Sequence, residues 1–188
     1  MTLAVLVSGK GSNLRNLVER GLEVVAVATN RPSCGAAAYA REHGLPLGEF
    51  SQKRFDSLED RDAAMCDFVR SRGAELVVNA GYDRILSPAF TSAFAGRLIN
   101  IHPSLLPAFG GGTDAVERAL AAGVEVTGCT VHLVTDEVDA GPILLQAVVP
   151  VLAGDTPETL RTRIQREEHR ILPEAIQLLA QKSASLSQ

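Results

Sequence analysis

From end to end the chain alternates between short apolar runs of strand length and longer stretches of helical composition. Runs at residues 3–7, 24–29, 76–80, 98–102, 126–134 and 143–149 are rich in Val and Leu, and a weaker one lies near 45–49. Between them, 13–20, 35–43, 59–72, 87–94 and 114–122 read as helices, and a last helix is expected from the Asp155-Thr156-Pro157-Glu158 start to about Gln181. Near-continuous apolar strands separated by helices predict an α/β fold whose mostly parallel sheet is covered by helices on both faces. The runs at 126–134 and 143–149 are joined by a loop too short for a helical crossover. That pair is expected to be antiparallel, which makes the sheet mixed. In the last helix Asp155 or Thr156 is the expected N-cap, Pro157 fits the first turn and Glu158 would close a capping box. The expected organisation is one domain over residues 1–182 and a polar tail over 183–188.

Composition narrows the class. With 46% hydrophobic residues but no tryptophan, the core must be assembled from Val, Leu, Ile and Ala. A net charge of −4 without a long basic run argues against a nucleic-acid partner. The start, Met1-Thr2-Leu3-Ala4-Val5-Leu6-Val7, has no basic leader and runs directly into a glycine turn, so it reads as a first strand and not a secretory signal. No run is long enough to span a bilayer. Cys34, Cys66 and Cys129 are widely spaced and odd in number, a pattern that fits reduced, buried thiols in a cytoplasmic protein and lacks the clustering a metal site needs.

The most informative string is Leu98-Ile99-Asn100-Ile101-His102-Pro103-Ser104-Leu105-Leu106-Pro107. Side chains in a strand repeat every two residues, so Asn100 and His102 project from one face at the strand's carboxyl end, the edge at which open α/β sheets bind ligands. An amide donor beside an imidazole suits acyl transfer, where one group stabilises an oxyanion and the other moves a proton. Downstream, Thr135-Asp136-Glu137-Val138-Asp139-Ala140-Gly141-Pro142 offers carboxylates to pair with the histidine. A carboxylate beside an imidazole favours its charged form. From the residues alone, Asp136 and Asp139 are equal candidates. His43, His132 and His169 read as structural.

Ser8-Gly9-Lys10-Gly11-Ser12-Asn13-Leu14 links the first strand to the first helix. Leu14 stands where a dinucleotide fingerprint needs a third glycine, and no Walker A spacing is present. What remains is either an ordinary turn with Ser12 or Asn13 as N-cap, or a helix start whose free N–H groups hold an anion.

These strings, together with Gly81-Tyr82-Asp83-Arg84-Ile85-Leu86-Ser87-Pro88, resemble the phosphoribosylglycinamide formyltransferases, also called glycinamide ribonucleotide transformylases, along nearly the whole chain. The resemblance implies a single-domain Rossmann-like formyltransferase fold. It also implies transfer of a formyl group from 10-formyltetrahydrofolate to the amine of 5-phosphoribosylglycinamide in purine biosynthesis, with no metal. It makes Asn100, His102 and Asp139 the catalytic group, and Gly11, Ser12, Asn13, Gln165 and Glu168 the ribonucleotide contacts. Arg84, Ile85, Leu86, Asn100, Asp136, Val138 and Asp139 would contact the folate. The partners implied are these small molecules, in a monomer or homodimer. Leu58 departs from the pattern, standing where some members have a folate-contacting arginine that Arg61 is a candidate to replace. So does Ala108-Phe109-Gly110-Gly111-Gly112-Thr113-Asp114, which lacks the usual Pro-Gly and histidine; its three glycines predict a mobile lid. Two other readings compete: a hydrolase releasing formate from the same folate, and a non-catalytic phosphate-ligand domain. Such hydrolases usually carry an extra N-terminal domain, and methionyl-tRNA formyltransferases a C-terminal one. A first strand at Leu3 and an end after the last helix therefore favour the purine enzyme, and an intact Asn-His-Asp group disfavours the binding domain.

Overall fold

The computed structural model describes residues 1–186. In chain order the elements are β1 (Leu3–Val7), α1 (Ser12–Glu19), β2 (Val24–Thr29), α2 (Gly35–Glu42), β3 (Leu47–Glu49), a 3-10 turn (Gln52–Arg54), α3 (Leu58–Ser71), β4 (Leu76–Asn79), α4 (Pro88–Ala93), β5 (Leu98–His102), α5 (Ala115–Ala121), β6 (Val126–Leu133), β7 (Ile143–Pro150) and α6 (Pro157–Leu186). The strands form one seven-stranded sheet in the order β3-β2-β1-β4-β5-β6-β7. This is the mixed, mostly parallel α/β sheet that the alternating pattern predicts. Two compact units divide the chain, one of Met1–Ile99 with Val134–Asp136, the other of Asn100–Leu133 with the chain from Glu137 on, so β5 contributes to both.

In the first unit β1 runs parallel to β2 and β4, and β2 parallel to β3, with Leu6 opposite Ala28 and Val5 opposite Val78. All five residues of β1 are fully buried, which requires cover on both faces of the sheet. Ala4, Leu6, Ala28, Met65, Val69, Val77, Phe90 and Phe94 form one buried cluster there, small strand residues facing larger helical ones. Ser57 caps α3 by accepting the Asp60 N–H.

Arg61 of α3 lies within this unit, 1% exposed, and its charge is paired with the equally buried Asp62 at 2.6 Å. Its Nη2 donates to the Ile85 carbonyl at 3.1 Å and its Nη1 to Gln52 Oε1 at 3.2 Å. Asp62 in turn accepts the Ser87 N–H at 2.6 Å. The pair fastens both ends of the Ile85–Ser87 turn. Arg61 therefore does not replace the arginine missing at Leu58, because burial and these bonds occupy its guanidinium.

The second unit holds the antiparallel pair β6 and β7, in which Cys129 faces Ala147, and α6 packs on both strands. Thr156 and Thr159 exchange side chain-to-backbone bonds at the start of α6. With Pro157 as the first helical residue, Thr159 is the third, so it closes the capping box and Glu158 does not. The helix passes the expected end at Gln181 and reaches Leu186, with Ser183 and Ser185 bonding back to carbonyls four residues earlier. Residues 187 and 188 of the expected tail lie outside the described residues. Cys66 and Cys129 are buried as expected, and burial pushes the Cys129 thiol up to about 12. Cys34 is only half-buried, and its sulfur caps α2 by accepting the Ala37 N–H.

Removing one member of a buried ion pair strands the other, at a cost of about 3–5 kcal/mol, whereas neutralising both costs less. Arg61→Met is expected to lower unfolding free energy in urea by an amount in that range, and the Arg61→Met/Asp62→Asn double variant by clearly less. A double variant as unstable as the sum of two singles would contradict the pairing.

Candidate active site

The second unit brings Asn100, His102 and Asp139 together. Asn100 and His102 leave the same face of β5, as a two-residue repeat requires, and both meet Asp139 from the loop between β6 and β7. Asn100 Nδ2 lies 3.4 Å from Asp139 Oδ1, and His102 Nδ1 lies 3.4 Å from Asp139 Oδ2. His102 is 5% exposed. Asp139 adopts a left-handed backbone, φ 54°, a region that Asp tolerates better than most residues.

A fourth member was not foreseen. His132, 2% exposed at the end of β6, places Nε2 3.1 Å from Asn100 Nδ2 and 3.5 Å from Asp139 Oδ1. Its Nδ1 donates to the Leu133 carbonyl at 2.9 Å, which fixes the ring. The signal is a polar residue near the carboxyl end of an apolar strand, as His102 is, here shortly before the acidic loop. A lone strand histidine reads as structural, and only the fold brings this one beside Asn100 and Asp139.

His102 Nε2 faces the Phe109 carbonyl at 3.1 Å, and a carbonyl only accepts, so Nε2 donates. The other ring nitrogen, Nδ1, faces the Asp139 carboxylate. Asp139 is held down to about 2, foremost by its hydrogen bond with His132, then by the Gly111 N–H and the charges of His102 and His132, against the opposing effect of burial. The two acidic candidates differ in their contacts. Asp139 joins the histidines, whereas Asp136, in the first unit, accepts a short hydrogen bond from the Thr91 hydroxyl of α4.

The three glycines after Phe109 occupy positions whose backbone or surroundings suit glycine. Gly111 and Gly112 have φ of 70° and 139°, and a Cβ on Gly110 would approach Leu106 Cδ2 to 3.2 Å. Gly111 N–H donates to Asp139 Oδ2 at 2.8 Å, and Arg118 Nη2 reaches the carbonyls of Phe109 at 2.7 Å and Gly110 at 3.1 Å. The loop is tied to the site by its own backbone.

The other expected site residues divide between the units. In the first, Gly11 is the N-cap of α1 at φ 77°, and a Cβ there would lie 2.6 Å from Ala36 Cβ. Glycine is thus required, and Ser12 and Asn13 are the first helical residues, not the cap. Gly11, as the N-cap residue, makes no side-chain cap bond to α1. Arg84 is exposed, Ile85 is 70% exposed and Leu86 half-buried. Asp83 turns inward to Asn30 Nδ2 at 2.9 Å and pairs with Arg31. In the second unit Val138 is 56% exposed, and Gln165 and Glu168 are half-buried on α6, one helical turn apart. Among the described residues no His, Cys, Asp and Glu cluster suits a metal ion, and no helix is long and apolar enough to cross a membrane.

An imidazole and an amide thus converge on a carboxylate at the carboxyl end of β5, an arrangement suited to acyl transfer or hydrolysis. Residues 1–176 match the formyl transferase family, and the chain belongs to it. It is 42% identical over 187 residues to the phosphoribosylglycinamide formyltransferase of Escherichia coli, covering 96% of this chain and 87% of that protein. It is 41% identical over 192 residues to the trifunctional purine biosynthetic protein adenosine-3 of Bos taurus, covering 99% of this chain but only 19% of that much longer protein. Among solved structures, glycinamide ribonucleotide transformylase 1 from Symbiobacterium toebii superposes with a TM-score of 0.92 at 44% identity, covering 97% of this chain and 88% of that one.

Because the Asp139 pKa is lowered on folding, the stability it contributes is present above the unfolded value near 4 and is lost as pH falls toward about 2. That contribution is on the order of 1–2 kcal/mol. Between pH 5 and pH 2 the unfolding free energy of the wild-type protein should therefore fall more steeply than that of Asp139→Asn, by about that amount. Parallel profiles in urea titrations would show that the carboxylate gains nothing from its neighbours.

Proposed function

We propose that the protein is a phosphoribosylglycinamide formyltransferase, which moves a formyl group from 10-formyltetrahydrofolate to the glycinamide amine of 5-phosphoribosylglycinamide in purine biosynthesis. The observation that carries this reading is the convergence of Asn100, His102 and Asp139, in a chain that matches enzymes of that name along most of their length. The folate donor supplies an activated formyl carbon attached to a nitrogen leaving group. Asn100 turns an amide N–H, and His102 its Nε2 hydrogen, toward the carbonyl oxygen as it gains negative charge under attack by the amine. Asp139, ionised throughout the physiological range, holds His102 charged and takes up the amine's proton through a water. His102 then passes a proton to the departing nitrogen. The Cys129 thiol, pushed up to about 12 by burial, is no nucleophile, in keeping with direct transfer.

Under this reading the start of α1, at Gly11, Ser12 and Asn13, holds the substrate phosphate through backbone N–H groups. Gln165 and Glu168 contact the rest of the ribonucleotide. Exposed apolar surface at Ile85 and Val138, with Arg84, Leu86 and Asp136, serves the folate.

Formyl transfer from 10-formyltetrahydrofolate to 5-phosphoribosylglycinamide, run beside a control without acceptor, tests the reading. Acceptor-dependent loss of the donor is expected; formate release at the same rate without acceptor would make the protein a hydrolase instead. His102→Ala and Asp139→Asn should each lower turnover by roughly 10²–10⁴-fold with the fold intact, and the double variant should be little worse than the poorer single one. Near-normal turnover in either would refute the catalytic assignment. Asn13→Ala should raise KM for the ribonucleotide more than for the folate, and an equal rise in both would reduce the α1 start to an ordinary turn.

A further inference from the structure

The Phe109 carbonyl accepts two donors at once, His102 Nε2 at 3.1 Å and Arg118 Nη2 at 2.7 Å. His102 is thus engaged through the same Nε2 hydrogen that the proposed transfer needs. Before that hydrogen can serve the substrate, the half-buried Phe109 carbonyl must give it up. A carbonyl left without a donor in a buried setting loses the full benefit of hydrogen bonding, whereas one that keeps a second, charge-assisted donor loses little. Arg118 is that second donor. Its Nη2 also lies 3.1 Å from the Gly110 carbonyl and 3.4 Å from that of Gly111, and its Nε is 3.0 Å from Asp114 Oδ1, one turn earlier. Anchored in α5 and only 36% exposed, the guanidinium is placed to hold Phe109 whether or not His102 does.

We propose that Arg118 is a positioning residue that keeps the Phe109 carbonyl satisfied and so frees the His102 Nε2 hydrogen for the substrate. The same contacts hold the turn that presents the Gly111 N–H to Asp139, so one arginine acts on both partners of the His102–Asp139 pair without touching the reacting atoms. The proposal rests on the formyltransferase reading for its kinetic consequence, but not for its structural one. Phe109 itself holds a left-handed backbone, with φ of 56°.

Arg118→Met keeps the stem and removes the donors. With Phe109 then relying on His102 alone, their bond should tighten. In the unliganded protein the His102 Nε2 proton resonance should move downfield, with the melting temperature little changed. In the transfer assay kcat should fall about tenfold or more while both KM values stay within about twofold, since the loss falls on the transition state. Arg118→Lys, which keeps one charged donor for the Phe109 carbonyl, should recover most of kcat and of the resonance position, and it stands in for the test if the Met variant does not fold. An unmoved His102 resonance, or a rise in KM with kcat unchanged, would overturn the proposal and leave Arg118 as a loop brace. Absence of transfer by the wild-type protein would refute the formyltransferase reading, while the resonance would still decide the role of Arg118.

Discussion

The Asp139 carboxylate accepts from the Asn100 amide and the Gly111 backbone, and pairs with His102 and His132. An acceptor-only group at a sheet edge would otherwise be expensive to desolvate. Here the donors come from β5, β6 and the glycine loop, so keeping one charge satisfied fixes the positions of three chain segments. That demand explains features with no obvious common cause: the left-handed backbone at Asp139, the glycine at 111 and the buried imidazole at 132. The second unit's loops are arranged around a negative charge that stays ionised.

The framework around it is ordinary α/β physics. Apolar strands with both faces covered need no polar partners beyond their neighbours, so chemistry is confined to the strand ends and the loops that follow them. In the first unit a buried Arg61–Asp62 pair clasps the Ile85–Ser87 turn, tying that loop to α3. Arg118 does similar work in the second unit by gathering consecutive loop carbonyls. In both cases an arginine uses its fork of donors to hold backbone that no strand or helix bonds would hold.

Features governed by local chemistry were legible in the sequence. Strand periodicity located β1, β2 and β5 to the residue and put Asn100 and His102 on one face. The short link between β6 and β7 predicted their antiparallel pairing. Features that depend on partners far along the chain were less accessible. His132 looked like a core histidine because only folding brings it beside Asn100, 32 residues away. Arg61 looked like a candidate ligand contact because its burial against Asp62 leaves no periodic trace. Three adjacent glycines suggested freedom, although each meets a steric or conformational demand made by Leu106, Asp139 or the backbone itself.

The central claim is that Asp139 is an ionised hub held chiefly by His132, and the most direct measurement is titration of its side-chain carboxyl carbon by NMR in the intact protein. The account predicts a midpoint of about 2 that rises toward the ordinary 3.8 in His132→Ala. A midpoint already in the ordinary carboxylate range, or one indifferent to the loss of His132, would contradict it.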